Sequence, residues 1–243
     1  ARSEVPSDSV QLLASTDRAV TSAFLGLRGL LDVIIPRGSL SLIRFTQENA
    51  KVPVIETGAS VVHAYVDRSV DVAQATALIH NAKTRRPAIC GALDVLLLHR
   101  EVVEPLGQAL ARRLAEDPHK VLVKADAAAL AAMRDHLPTE RLQPLDPATD
   151  FDTEWLDYVL AVATVDSLEA ALEHIHIHSL KHTEAIYTQD AEVAGQFMRA
   201  VDAAVVMHNA STQFTDGGQF GLGAEIGIST QKLHVRGPFA LEG

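Results

Sequence analysis

The feature that most constrains the fold is an alternation of short apolar runs with segments of helical periodicity. The runs LLDVIIP and VPVIETG are rich in β-branched residues and have the length of strands buried on both faces. Between them, SLSLIRFTQENA has helical spacing, and Ser39 is its expected N-cap. Strands and helices that alternate over short links predict a parallel sheet with right-handed crossovers, which is an α/β fold.

The alternation continues along the rest of the chain. ALDVLLLHR fits either a helix or a strand, and the three prolines within residues 138–153 predict a surface loop. The predicted helices are DRAVTSAFLGLR, DVAQATALIHNAKT, VVEPLGQALARRLAED, DAAALAAMRDHL, SLEAALEHIHIH and AEVAGQFMRAV. The other predicted strands are SVQLLAS, KVLVKAD, LDYVLAVATV, EAIYTQD and AAVVMHNAS.

Composition narrows the classes of function. Among 243 residues, 47% are hydrophobic and 21% are charged, which is typical of a globular protein. The net charge of −10 weighs against broad binding to nucleic acids or anionic membranes, and no apolar run approaches the ~20 residues of a membrane helix. A single cysteine excludes an internal disulfide and fits a cytoplasmic location. We also expect no signal peptide, and the abrupt start before VQLL indicates a missing earlier part.

The only cysteine, Cys90, lies in the stretch NAKTRRPAICGAL. By itself a lone cysteine is more often a small core residue than a nucleophile. Pro87 and Gly91 predict a sharp turn, which can leave the thiol at a helix N-terminus. The helix dipole and the neighbouring Arg85 and Arg86 would then stabilise the thiolate. Both interpretations stay open on these residues alone.

Two further motifs invite a metal or nucleotide interpretation that the spacing does not support. On a helix, His174 and His178 share a face but His176 does not, so HIHIHSLKH predicts no zinc site. Gly221, Gly223 and Gly227 are spaced one residue too widely for the dinucleotide fingerprint.

The stretch Pro36-Arg37-Gly38-Ser39 links a predicted strand to a predicted helix. Such a junction at the carboxyl edge of a parallel sheet is a common phosphate site, because the helix N–H groups point at the ligand. An ordinary turn with a capped helix explains these residues equally well.

Several of these stretches together resemble the γ-glutamyl phosphate reductase family, within the aldehyde dehydrogenase superfamily. They occur in the family's order and run nearly the whole length of the chain. The matching stretches are DVIIPRGS, VPVIETG, HAYVD, NAKTRRPAIC, AALEHIHIHSLKHTEAI, VDAAVVMHNASTQFTDGG and FGLGAEIGISTQKLHVRGP. The resemblance implies an aldehyde dehydrogenase-like fold, with part of a Rossmann-type cofactor-binding sheet and an α/β catalytic domain.

The resemblance also implies a reaction, the NADPH-dependent reduction of L-glutamyl 5-phosphate to L-glutamate 5-semialdehyde with release of phosphate. Cys90 falls on the nucleophile, which would form a thioester. The other positions carried over are Glu56 near the thiol and nicotinamide, Gly38, Ser39 and Glu154 for the cofactor, and Arg86, Ser211 and Thr212 for the substrate. No metal is implied. A homo-oligomer and an association with glutamate 5-kinase are implied.

The family pattern suggests domain boundaries and shows where this chain departs from it. Residues 1–55 would belong to the cofactor-binding domain, 56–208 to the catalytic domain, and 209–243 to a glycine-rich segment that completes the active site and oligomer contacts. Family members have a longer N-terminal segment, so we expect weak or absent reductase activity from these residues alone. This chain has Ser60-Val61-Val62-His63 where members often read Gly-Asn-Cys-His, and Gly91 where Asn is usual.

Two alternatives to a reductase remain. One is a cysteine acyltransferase or hydrolase that uses Cys90 with His63 or His99 as the base. The other is a non-catalytic structural or assembly fragment in which Cys90 is buried and inert. Strict dependence on the nicotinamide cofactor would exclude the first, and fast alkylation of the thiol would exclude the second.

Overall fold

The structure is a computed structural model, and it describes residues 5–221, 223 and 226–232. The chain divides into two compact units, Ala1–Glu56 and Thr57–Gly243. The longest described helices have 13 residues, short of the roughly 20 that cross a bilayer, and no described helix could span a membrane.

Over residues 5–56, the first unit carries two helices, both of which begin where the sequence predicts. Helix α1 (Arg18–Phe24) is capped by the Asp17 side chain, and α2 (Leu40–Asn49) is capped by the Ser39 side chain. These caps satisfy N–H groups that the first turn leaves without a partner in the helix.

The strands predicted in this unit do not form over the described residues. SVQLLAS carries no strand, while LLDVIIP and VPVIETG meet in a single parallel bridge between Ile34 and Val54. Two hydrogen bonds of 2.9 Å flank it, from Ile34 N to Pro53 O and from Ile55 N to Ile34 O. The predicted parallel direction is therefore right for this contact and the predicted extent of the strands is wrong, because two short segments by themselves bury too little surface to hold a longer ladder.

The second unit alternates strands and helices. Its strands are β1 (His63–Val66), β2 (Val95–His99), β3 (Leu122–Ala125), β4 (Leu142–Pro144), β5 (Val159–Val165), β6 (Thr183–Tyr187) and β7 (Val205–His208). Its helices are α3 (Val72–Thr84), α4 (Val103–Ala115), α5 (Ala127–Met133), α6 (Leu168–His178) and α7 (Ala191–Ala200).

These strands form one parallel sheet in the order β4-β3-β5-β2-β1-β6-β7, which confirms the α/β prediction. Alternate residues of each strand face opposite layers. In β1, Ala64 and Val66 pack with α3, α4 and α5, whereas Tyr65 packs with α6 and α7. Both faces are covered, which explains why the central strands read as continuous apolar runs.

Two segments with uncertain predictions are now defined. ALDVLLLHR is a strand, β2, and its five strand residues are all buried. Residues 138–153 contain a short edge strand, β4, and two 3₁₀ turns, so they are only partly a loop. Residues 222, 224–225 and 233–243 of the glycine-rich C-terminal segment lie outside the described residues.

Helices α4 and α5 pack closely at Gly107. A Cβ atom at this position would lie 2.9 Å from the Cβ of Ala132, which is closer than packed carbon atoms approach. We expect Gly107→Ala to lower the free energy of unfolding by about 1–3 kcal/mol, because the helices must move apart. The matched control is Gly195→Ala in α7, where a Cβ would meet only the flexible end of Arg199.

The control should raise the free energy of unfolding by about 0.5–1 kcal/mol through higher helix propensity. Urea unfolding of both variants measures the two effects. Equal changes in the free energy of unfolding at the two positions would show that the close approach of α4 and α5 does not require glycine at position 107.

Candidate active site

Cys90 lies on an irregular turn that joins the end of α3 to the start of β2. The element that follows it is a strand, so the prediction of a thiol at a helix N-terminus is wrong, and no helix dipole of that kind acts on it. The side chain of Cys90 is exposed, as are those of Arg85 and Arg86 on the same turn. The thiol therefore lies at the amino edge of the parallel sheet, with two cations nearby in the chain.

A buried carboxylate, Asp94, fixes the end of this turn. Its Oδ2 accepts a hydrogen bond from Val62 N at 3.2 Å, and its Oδ1 accepts one from Trp155 N at 3.3 Å. Lys83 Nζ lies 3.8 Å from Oδ1 and donates to the Leu93 carbonyl at 2.9 Å. Asp94 thus ties the Cys90 turn to the segments that precede β1 and β5.

Both members of this ion pair are deeply buried. The side chains of Lys83 and Asp94 are 0% and 3% exposed. Burial raises the pKa of Asp94 to about 6 and lowers the pKa of Lys83 to about 8, because each loses water around its charge. Each group therefore depends on the other to remain ionised at neutral pH.

Ser60 connects Cys90 to Glu154. Its Oγ lies 2.7 Å from the carbonyl oxygen of Cys90 and 3.0 Å from Glu154 Oε1, and its N–H donates to the same Oε1 at 3.2 Å. Ser60 is buried and Glu154 is half-buried. The predicted nucleophile and the predicted cofactor-binding glutamate are therefore brought together through one serine.

The segment after β7 packs on the other side of the turn. Gln213 Nε2 donates to Ala82 O at 2.9 Å and to Arg86 O at 3.0 Å. A Cβ atom at Gly91 would lie 2.9 Å from the Thr212 carbonyl, so glycine permits this close approach. Ser211 and Thr212 are buried, and the Ser211 side chain caps the 3₁₀ turn that follows it.

The first unit contains the predicted cofactor-binding residues Gly38 and Ser39 and the predicted catalytic residue Glu56. Gly38 has a positive φ of 146°, and Ser39 caps α2, where helix N–H groups face outwards. Glu56 ends this unit, and its Oε2 accepts a hydrogen bond from Gln47 Nε2. Within the first unit, the N-terminus of α2 is of the donor type that suits a phosphate. Within the second unit, the Glu154 carboxylate is of the acceptor type that suits ribose hydroxyls.

Three histidines, His63, His174 and His178, pack into a cluster. The ring of His174 lies 5.4 Å from that of His63 and 4.6 Å from that of His178. His63 Nδ1 is 3.2 Å from Glu184 Oε2, and His178 Nδ1 is 2.8 Å from Asp152 Oδ1. The described residues contain no group of three or more side chains placed to hold a metal ion.

The two histidines considered as bases for Cys90 are poorly placed for that role. His99 is the last residue of β2, roughly 13 Å along the strand from its amino end, near which Cys90 lies. His63 is completely buried beside Glu184. His99 therefore cannot serve as the base for Cys90, and the acyltransferase or hydrolase alternative is wrong about this residue.

Sequence reasoning missed Asp94, Lys83, Ser60 and Gln213. Asp94 leaves a signal, because a carboxylate inside the apolar run ALDVLLLH must find a buried partner. Lys83 leaves a weaker one, as a charge near the end of the amphipathic helix α3. Ser60 and Gln213 leave none, since their contacts join segments distant in the chain.

The buried ion pair supports a stability prediction. Lys83→Met removes the cation beside Asp94, and we expect it to lower the free energy of unfolding by about 3–5 kcal/mol. The control is Lys181→Met, which removes an ion pair with Asp202 whose side chains are 43% and 40% exposed. That control should cost less than about 1 kcal/mol. Similar losses of unfolding free energy in Lys83→Met and Lys181→Met, measured in urea, would show that Asp94 does not depend on Lys83.

The histidine cluster predicts how stability depends on pH. Burial lowers the pKa of His174 to about 3, with His63 and His178 adding to the effect, and burial lowers the pKa of His182 to about 4. Unfolding frees both to bind protons near pH 6.5, so stability present above that pH falls as the pH drops toward 4. Each histidine contributes a slope of about 1.4 kcal/mol per pH unit.

His174→Leu should therefore reduce this slope by about 1.4 kcal/mol per pH unit between pH 6 and 5, measured by urea unfolding at each pH. In His176→Leu, at an exposed position of the same helix, the free energy of unfolding should depend on pH as steeply as in the wild type. An unchanged slope in His174→Leu would show that this ring takes up no proton on unfolding.

Comparison with known proteins finds similar sequences and similar structures. No family model matches the chain. The chain is 47% identical over 243 residues to the γ-glutamyl phosphate reductase of Streptococcus sanguinis, with 100% of the chain and 57% of the relative covered. The crystal structure of γ-glutamyl phosphate reductase from Thermotoga maritima superposes with a TM-score of 0.88 at 40% identity, covering 98% of this chain and 56% of that one.

A more distant structure shares the fold alone. An acetylating aldehyde dehydrogenase from Geobacillus thermoglucosidasius matches 88% of this chain and 54% of its own, with a TM-score of 0.64 at 21% identity. The chain spans just over half the length of the curated relative and of both solved structures. Over the residues that it shares with them, the chain is similar to γ-glutamyl phosphate reductases and has an aldehyde dehydrogenase-like fold.

Proposed function

We propose that this chain carries the nucleophile for NADPH-dependent reduction of L-glutamyl 5-phosphate to L-glutamate 5-semialdehyde, a step of proline biosynthesis. The observation that carries the proposal is the exposed Cys90 on a turn that Asp94 and Gln213 fix from two sides. The relatives named γ-glutamyl phosphate reductase support the same assignment.

The proposed chemistry begins at the Cys90 sulfur. The thiolate attacks the acyl carbon, the carbon–oxygen bond to phosphate breaks, and phosphate leaves with the electron pair. The thioester then accepts a hydride at its carbonyl carbon. The resulting oxyanion re-forms its carbonyl, breaks the carbon–sulfur bond, and releases the aldehyde and the Cys90 thiolate.

Other residues of the chain hold the reactants in this proposal. The exposed Arg86, with Arg85, offers positive charge that would favour a thiolate on the same turn and attract the anionic substrate. Ser211 and Thr212 are buried against the turn, so they shape the substrate site through the backbone at Gly91. Glu56 stays a proposed neighbour of the thiol and nicotinamide.

NADPH, when bound, supplies the hydride that reduces the thioester. Gly38 and Ser39 at the start of α2 would hold its phosphates, and Glu154 would accept hydrogen bonds from ribose hydroxyls. The preference for NADPH over NADH is part of the proposal. A homo-oligomer, an association with glutamate 5-kinase and a cytoplasmic location are proposed on the same family grounds.

The reverse reaction tests the proposal and avoids the labile acyl phosphate. The chain is mixed with glutamate 5-semialdehyde, NADP⁺ and phosphate, and NADPH formation is followed by absorbance. We expect any NADPH formation to require phosphate and to be lost in Cys90→Ala, since the covalent step is lost. Ala88→Ser, an exposed change on the same turn, is the matched control.

Alkylation of Cys90 by iodoacetamide gives a second readout, which needs no turnover. Fast alkylation at pH 7 that glutamate 5-semialdehyde slows is the expected result. A thiol that does not react in the folded protein would support the inert assembly fragment instead. NADP⁺ reduction that proceeds equally well without phosphate would favour a hydrolytic enzyme.

A further inference from the structure

Ser60 occupies an unusual position between two functional groups. It is 1% exposed and immediately precedes the segment that enters β1. Its Oγ lies within hydrogen-bond distance of the Cys90 carbonyl (2.7 Å) and of Glu154 Oε1 (3.0 Å). Ser60 is therefore a direct polar link between Cys90 and Glu154.

The hydroxyl cannot donate to both neighbours in full. A serine has one O–H proton, and a carbonyl and an ionised carboxylate are both acceptors. The Ser60 proton therefore stabilises either the Cys90 carbonyl or the Glu154 carboxylate at a given moment. Another donor that satisfies Glu154 shifts the balance toward the Cys90 carbonyl.

The backbone of Ser60 helps to hold Glu154 in place independently of the hydroxyl. The N–H of Ser60 donates to Glu154 Oε1 at 3.2 Å and does not depend on the side chain. The amide of the next residue, Trp155, is held by Asp94. Removing the hydroxyl should therefore leave Glu154 in place and remove only its connection to Cys90.

We propose that Ser60 is a positioning residue whose single hydroxyl proton couples occupation of the Glu154 carboxylate to the Cys90 turn. This inference rests on the proposed function, in which ribose hydroxyls of the cofactor donate to Glu154. Members of the family often have glycine at this position, which keeps the N–H and lacks the hydroxyl. The coupling is therefore a property of this chain rather than of its family.

The test measures the alkylation rate of Cys90 by iodoacetamide with and without saturating NADP⁺. Binding of NADP⁺ is followed separately by the fluorescence of Trp155, the single tryptophan, which adjoins Glu154. In the wild-type chain we expect NADP⁺ to change the alkylation rate about 2- to 10-fold, the range for one neutral hydrogen bond. Ser60→Gly and Ser60→Ala should still bind NADP⁺ and lose this response.

Ser60→Thr keeps a hydroxyl and should restore at least part of the response, which a merely structural role of Ser60 would not require. If Ser60→Ala is unfolded by circular dichroism, Ser60→Gly and Ser60→Thr decide the question. If NADP⁺ changes the alkylation rate of Cys90 in Ser60→Gly as much as in the wild type, the coupling is overturned. The proposed function is unaffected by that result. Absence of NADP⁺ binding by the wild-type chain would overturn both the cofactor assignment and the coupling.

Discussion

The buried Asp94 carboxylate is the constraint on which the arrangement of this site depends. Its two oxygens receive N–H groups from Val62 and Trp155, and its charge is balanced by Lys83. An unpaired charge in such a place would cost several kcal/mol, so these partners must be held together. Since the three partners belong to segments before β1, before β5 and at the end of α3, one carboxylate sets the relative positions of Ser60, Glu154 and the Cys90 turn.

The site lies at the amino edge of the parallel sheet rather than at the carboxyl edge, where α/β folds usually bind ligands. A turn before a strand offers no helix N-terminus to lower the pKa of a thiol. Positive charge from Arg85 and Arg86 is the electrostatic support present on the turn. Rigidity comes instead from Gln213, whose side-chain amide donates to carbonyls at the end of α3 and within the turn.

Local sequence patterns predicted the fold well, but they did not predict contacts between residues that are far apart in the chain. The alternation of apolar runs and helices gave the parallel sheet, and Ser39, Ser167 and Asp17 cap their helices because capping acts over three residues. Cys90 as nucleophile came from resemblance, since its own neighbourhood also fits a core residue. Asp94 and Ser60 act on residues 32 and 94 positions away, and no period in the sequence encodes such contacts. Of the strands predicted before residue 56, two form only the bridge between Ile34 and Val54, because strand propensity alone does not supply the packing that a longer ladder needs.

Amide hydrogen exchange in Asp94→Ala tests most directly whether one carboxylate holds the site together. Ala removes both of the oxygens that accept from Val62 N and Trp155 N. The exchange rates of Val62 and Trp155 should therefore rise together by about tenfold, and those within the Cys90 turn should rise with them. Asp126→Ala, at the cap of α5, should leave all of these rates unchanged. A rise at only one of the two amides, or none, would contradict the account.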